Sequence, residues 1–447
     1  MKFISRKSFL IFMGLIIMSA SDDIGPLASH CVVTYNDSIY IFGGTIGCES
    51  FALTNFFHQA TPPFTQAKIS WKPLSTINVM SVTDPGCIVD ETRGLLFVLG
   101  GANKNINSTN PGLQVYNFNT QIWNEPQYSQ NNFIPPDLIT AGWGPRPVWL
   151  QPGIMFIWGA GSTAQFSYLL DINFTPWQWT VLSNNKSDID PTKDAGVVTI
   201  NGNVFIFGGF RMDDKSISNT LYMYSPKYGF ITPQFKSPVP FNDGVIGVWN
   251  DKLSIIMLDT GATIMEVVDF DLKTFEFGKV NPPQTITKNI TTTRNRGHGA
   301  QFSWSDSVFI YGGTGNYCSQ PILDTWVVYN MSSQTWETTF NDIKHTNILS
   351  NNLTLPKVNG LDINNEVTGV QQSSSAVPHS TNAAASAATI ANNNIITIIL
   401  SSVIGILLIV FAVIFIYMKR IINQYKEYNA YPMVGNSEIS ATRVINI

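Results

Sequence analysis

Short unbroken runs of β-branched and aromatic residues recur along this chain, most of them closed by a glycine pair. They occupy 38–44 (Ser-Ile-Tyr-Ile-Phe-Gly-Gly), 95–101 (Leu-Leu-Phe-Val-Leu-Gly-Gly), 154–160 (Ile-Met-Phe-Ile-Trp-Gly-Ala), 204–209 (Val-Phe-Ile-Phe-Gly-Gly) and 308–313 (Val-Phe-Ile-Tyr-Gly-Gly). A weaker copy lies at 253–261, with Thr260 at the place of the first glycine. Runs without polar alternation belong to strands covered on both faces. The glycines end each strand by permitting positive φ and close backbone approach. The first-glycine positions 43, 100, 159, 208, 260 and 312 are 49 to 59 residues apart. A period near fifty with strand content predicts a propeller.

Each run is preceded by a second apolar stretch and a turn pair, such as Asn36-Asp37, Asn201-Gly202 or Ser305-Asp306. These pairs predict hairpins. Behind each run, two large apolar residues stand seven apart: Phe64/Trp71, Tyr116/Trp123, Leu170/Trp177, Met223/Phe230, Phe270/Phe277 and Tyr329/Trp336. Each repeat therefore reads as four strands.

Hydrophobic strand, Gly-Gly, then Tyr and Trp at fixed separation resembles the kelch repeat of the galactose oxidase and kelch superfamily. The fullest match runs from Arg296-Gly-His298 through Gly313 to Tyr329 and Trp336; Ala160 and Phe277 depart from the pattern. The resemblance implies an all-β, six-bladed propeller over 28–340, with blades at about 28–74, 84–126, 140–182, 193–236, 242–281 and 294–340.

The flanks give an address. Lys2, Arg6 and Lys7 precede an apolar stretch at 9–20, as in a signal peptide covering 1–21. An uncharged apolar segment at 395–418 is long enough for a transmembrane helix, and Lys419, Arg420 and Lys426 follow it. The positive-inside bias then places 419–447 in the cytosol and the propeller in the lumen or outside the cell. This is the layout of a type I protein of the plasma membrane or endomembranes, and it resembles single-pass kelch proteins predicted in fungi. Between propeller and span, 341–394 reads as a low-complexity stalk. Seven sequons, at Asn36, Asn107, Asn173, Asn185, Asn289, Asn330 and Asn352, lie on the expected luminal side.

The four cysteines also lie there, where disulfides persist. Cys48 and Cys318 follow the glycine pairs of blades 1 and 6, which adjoin only in a closed ring, so a Cys48–Cys318 disulfide is expected at the seam. Cys31 and Cys87 occupy equivalent first-strand positions of blades 1 and 2. They either pair or stay as buried thiols.

Composition narrows the chemistry. With 26 basic and 30 acidic residues and a formal charge of −4, no basic stripe favours nucleic acid. The galactose-oxidase resemblance raises a membrane-tethered copper oxidase, which needs two histidines, two tyrosines and a crosslinked cysteine. His30 and His298 stand at blade starts, where a hydrogen-bonded histidine anchoring a blade edge is the expected role. His345 and His379 fall beyond the propeller, and the acids Asp188, Asp190, Asp213 and Asp214 lack calcium-loop spacing. No sialidase blade motif occurs. The expectation is a protein without catalytic residues, metal or cofactor.

Binding fits better, because loops on a rigid ring carry recognition. Phe51, Phe56, Phe57, Asn103, Arg211 and Tyr317 are the candidate contacts for a protein or glycan ligand. In the tail, Tyr431 to Val434 matches the Tyr-X-X-Φ pattern read by clathrin adaptors, which raises a cargo or sorting receptor as a further alternative.

Overall fold

The computed structural model describes residues 24, 26–46, 52–64, 69–102, 112–124, 126, 144–159, 167–182, 189–232, 235–259, 265–281, 300–304, 306–314, 325–337 and 353–364. Six four-stranded antiparallel sheets follow one another along the chain. Blade 1 pairs Cys31–Tyr35, Ser38–Phe42, Phe57–Ala60 and Lys72–Pro73 in that order; blade 2 pairs Gly86–Asp90, Leu95–Leu99, Leu113–Asn117 and Ile122–Asn124. Blade 3 uses Arg146–Gln151, Ile154–Trp158, Ser167–Asp171 and Gln178–Val181; blade 4 uses Gly196–Ile200, Asn203–Phe207, Leu221–Ser225 and Gly229–Ile231. Blade 5 is Asn242–Trp249, Lys252–Asp259, Glu266–Asp271 and Glu276–Asn281; blade 6 is Ala300–Trp304, Ser307–Tyr311, Trp326–Asn330 and Thr335–Glu337. The first strand of each blade touches that of the next, and Ala300–Trp304 returns to Cys31–Tyr35 to close the ring.

The unbroken apolar runs are second strands, and they are apolar because each serves two cores. In Asn203–Phe207, Val204 and Ile206 enter the cluster shared with blade 3, while Phe205 and Phe207 enter the one shared with blade 5. The turn before that strand has both central residues at positive φ, 49° at Asn201 and 70° at Gly202, which suits a tight hairpin. At the other end, the second glycine of three of the four pairs bonds outward. The Gly44 N–H donates to Val82 O at 2.9 Å, and that of Gly209 to Phe241 O at 2.8 Å. At the seam, the Gly313 N–H donates to Leu27 O at 3.0 Å. A Cβ on Gly43 would lie 2.6 Å from Val82 O, so a side chain there would push the next blade away.

Ring closure is carried by backbone and packing. Ile24 and Leu27 join Trp71, Tyr311 and Trp326 in the core between blades 6 and 1. The expected Cys48–Cys318 pair lies outside the described residues. Three register details differ from the seven-residue rule. In blade 1 the third strand is Phe57–Ala60, and Phe64 packs beyond it. In blade 4, Tyr224 rather than Met223 faces Phe230; in blade 3, Leu170 faces Trp179. The two outer strands are short, so the turn between them sets the register locally.

The expected stalk is corrected at its beginning. Residues 353–364 are packed against blades 4 and 5, with Leu353, Leu355, Val358 and Ile363 buried in the same core as Phe205 and Phe270. The first compact unit accordingly extends to Val367, and the second, Thr368–Ile447, falls outside the described residues. Among the described residues no helix is long and apolar enough to cross a membrane. The signal segment, the 395–418 segment and the tail, including Tyr431 and Val434, all lie outside them.

Candidate functional site

The residues leading into the first strands form the mouth of the central channel. Ser29, Asp84, Asp194 and Asp243 all adopt left-handed backbone, with φ of 55°, 52°, 54° and 54°. Aspartate tolerates that region better than most side chains. At two blade starts the conformation lets the backbone bond the preceding blade: the Asp84 N–H donates to Ser29 O at 2.7 Å, and the Asp243 N–H to Asp194 O at 2.8 Å. In blade 3 the place is taken by Gly144, where a Cβ would lie 2.4 Å from Asp84 O.

This backbone ring delivers charge to one place. From blade 3, an Arg146 amino group donates to Asp243 Oδ1 at 2.8 Å and lies 3.8 Å from Asp194 Oδ1. The Asp243 side chain is 3% exposed and that of Asp194 9%, so both buried carboxylates face the Arg146 guanidinium. Lys193 sits above the Phe210 ring, 5.0 Å from its centroid. Burial pushes its ammonium below the ordinary lysine range, while Asp194 and Asp84 pull the other way.

Below the mouth, first-strand residues of all six blades line a cavity of about 210 Å³. Its wall on one side is the Cys31–Cys87 disulfide, which joins the innermost strands of blades 1 and 2. Of the two fates open to these cysteines, pairing is the one realised. His30 also lines the cavity and is 6% exposed. Neither ring nitrogen has a hydrogen-bond partner among the described residues; the ring instead meets Tyr311 edge-on at 5.6 Å. The anchoring role expected of His30 is therefore performed by packing, not by a hydrogen bond. Desolvation drops its pKa to about 3, against an upward pull from Asp84, so the imidazole is neutral at physiological pH. Among the described residues no three His, Cys, Asp or Glu side chains converge to hold a metal ion; His298 lies outside them.

The candidate contacts divide. Phe57 is withdrawn as a loop contact: it opens the third strand of blade 1, is 1% exposed and packs against Tyr116 and Trp123. Phe56 is half-buried against the core between blades 6 and 1 and meets His58 edge-on. Arg211 reaches Asp190 at 3.4 Å and Asp214 at 3.7 Å, in the short sheet of Thr192–Lys193 with Phe210–Arg211. Phe51, Asn103 and Tyr317 lie outside the described residues.

Three sequons are described. Asn36 is exposed in the first hairpin turn. Asn173 donates from Nδ2 to Pro152 O at 3.2 Å and accepts from Arg93 at 2.9 Å, so its amide is engaged at both ends. Asn330 Oδ1 accepts the Ser332 and Ser333 N–H groups, both at 3.0 Å. Asn107, Asn185, Asn289 and Asn352 lie outside the described residues.

Sequence reading missed Arg146, Asp84, Asp194 and Asp243 as a group. The available signal was acids two residues ahead of glycine at Asp84-Pro-Gly86 and Asp194-Ala-Gly196, both at blade starts. The pairing of Asp243 with an arginine 97 residues away in sequence carried no such signal.

Residues 191–229, which take in most of blade 4 and the segment leading into it, match the family described as Kelch motif. Together with the six blades this supports a kelch-repeat propeller. A solved structure described as "Structure of YjhT" shares 14% identity with a TM-score of 0.46, covering 70% of this chain and 98% of that one. No curated protein matches the chain.

Proposed function

We propose that this chain is a non-enzymatic, single-pass membrane glycoprotein whose kelch-type propeller, held outside the cytosol, binds a protein or glycan. The observation that carries the reading is the channel mouth, where Asp84, Arg146, Lys193, Asp194 and Asp243 come together from four blades. These side chains stand at strand ends of a rigid ring, which favours recognition of a preformed shape over induced fit. Kelch propellers generally serve as protein-binding scaffolds. The signal-like N-terminus, the apolar segment at 395–418 and the sequons add the address, with cell-surface, cell-wall or polarity roles in view.

The reading is tested with full-length protein displayed on its own cells, by photo-crosslinking and by glycan arrays on the detergent-solubilised form. Lys193→Gln, which keeps the polar side chain without adding a carboxylate beside Asp194 and Asp84, is expected to weaken the crosslinked species or the glycan signal at least tenfold while thermal unfolding stays cooperative. A stoichiometric copper ion with oxidase turnover in the same preparation would overturn the non-enzymatic reading. An endoglycosidase-insensitive protein with its propeller in the cytosol would overturn the address.

A further inference from the structure

Five of the six cores between blades hold a buried tryptophan. Trp71 fills the one between blades 6 and 1, Trp123 that between 1 and 2, Trp177 that between 2 and 3, Trp158 that between 3 and 4, and Trp336 that between 5 and 6. Among the described residues, the core between blades 4 and 5 holds none. Its outer-strand position is Phe277, only half-buried; the core between blades 3 and 4 also has a phenylalanine there, Phe230, but receives Trp158 from the second strand of blade 3. A phenylalanine is smaller than an indole, and interiors packed to crystal density do not leave such differences empty.

The missing volume is supplied from outside the blades. Leu353 (7% exposed), Leu355 (1%), Val358 (1%) and Ile363 (0%) enter this core beside Phe205, Leu272 and Phe275. The segment turns on Asn359-Gly360, both at positive φ, and bridges Val358 to Leu361. It lies at the end of the blades opposite the glycine pairs, against the hairpin turn at Asn201.

Polar groups of blade 4 read its backbone. Asn201 Nδ2 donates to Leu353 O at 2.9 Å, and Asn203 Nδ2 donates to Ile363 O at 2.8 Å. Asn203 is fully buried. The equivalent second-strand positions of the other blades are Ser38, Leu95, Ile154, Lys252 and Ser307, none of which carries an amide. Asn203 Nδ2 also donates to Asn201 O at 3.1 Å within its own hairpin, so its two N–H bonds tie the turn of blade 4 to the segment, and burying that amide without both partners would be costly.

We propose that the space between blades 4 and 5 is a segment-binding groove, and that residues 353–364 are its ligand in cis, completing the one described core that has no tryptophan from any strand. The groove selects an extended apolar segment with a tight turn, through two asparagine amides and an apolar wall that includes Phe205, Leu272 and Phe275. This assignment is independent of what the channel mouth binds.

The test is backbone amide hydrogen exchange on the full-length protein carrying Leu355→Asp and Ile363→Asp, which expel the segment. Exchange should accelerate more than about tenfold in Asn203–Phe207, Leu221–Ser225 and Lys252–Asp259, and stay unchanged in Ser38–Phe42 and Leu95–Leu99. Adding Phe277→Trp to that variant should recover most of the protection. So should a synthetic peptide of residues 350–367, whereas the same peptide with the two aspartates should not. Unchanged exchange, equal acceleration in all six blades, or recovery with neither tryptophan nor peptide would each overturn the proposal. If the double variant does not fold, Leu355→Ala is measured in the same way.

Discussion

The two sides of the channel are fastened by different chemistry. Blades 1 and 2 are joined at their innermost strands by the Cys31–Cys87 disulfide, across 56 residues of chain. Blades 3, 4 and 5 are joined at the channel mouth by Arg146 with Asp194 and Asp243. A covalent clamp acts largely by restricting the unfolded chain and ignores salt. An ion-pair clamp acts only in the folded state, and its worth is set by how far its charges are desolvated. One ring thus carries a redox-sensitive half and an electrostatic half.

The largest expected effect breaks the covalent side. Replacing Cys31 and Cys87 together by alanine should cost about 4 kcal/mol in the loop-entropy account. Calorimetry should find the wild type in reductant melting with the variant; a wild type indifferent to reductant would count against the clamp.

The ionic side comes next. Arg146→Met removes the guanidinium that faces the buried Asp243 and Asp194 carboxylates and should cost about 2–3 kcal/mol, below the fully buried case because the arginine is partly exposed. Restoring charge balance with Asp243→Asn in the same chain should return part of that loss. Identical melting of single and double variants would show that the ions are not coupled.

Acid should distinguish the halves further. His30, next to Cys31, has its folded pKa depressed from 6.5 to about 3. The unfolded chain therefore binds a proton that the folded chain refuses as pH falls below 6.5. Stability from this group is complete above that pH and declines toward pH 3, by about 2 kcal/mol between pH 7 and pH 5. His30→Leu should flatten that part of the pH profile. A profile identical to wild type would mean the imidazole accepts its proton in the fold. Smallest of all, Arg211→Ala removes partly exposed ion pairs and should leave the melting temperature unchanged within error.

The blades were legible because their signal is local and repeated. A run such as Val204 to Gly209 announces its strand, its double-sided burial and its turn within a few residues. Phe57 was misread because the same aromatic character marks a strand start or an exposed loop, and only pairing with Phe42 decides between them. The channel mouth stayed hidden for another reason. Asp84, Arg146, Asp194 and Asp243 lie in four separate repeats, and a single charged residue at a blade start is unremarkable until the ring brings it beside another. Residues 353–364 were hidden most deeply. Their apolar positions are too few to read as a strand or helix, and the partner that orders them is two blades assembled earlier in the chain.

By itself the sequence determined what depends on near neighbours: six β-repeats, their turns, and glycine where the backbone needs positive φ. Tertiary structure alone decided which cysteines meet, which charges share the channel, and what fills the core that lacks a tryptophan. Those depend on ring closure, which brings residues about fifty or more positions apart within bonding distance and leaves each blade interface a volume that something must occupy.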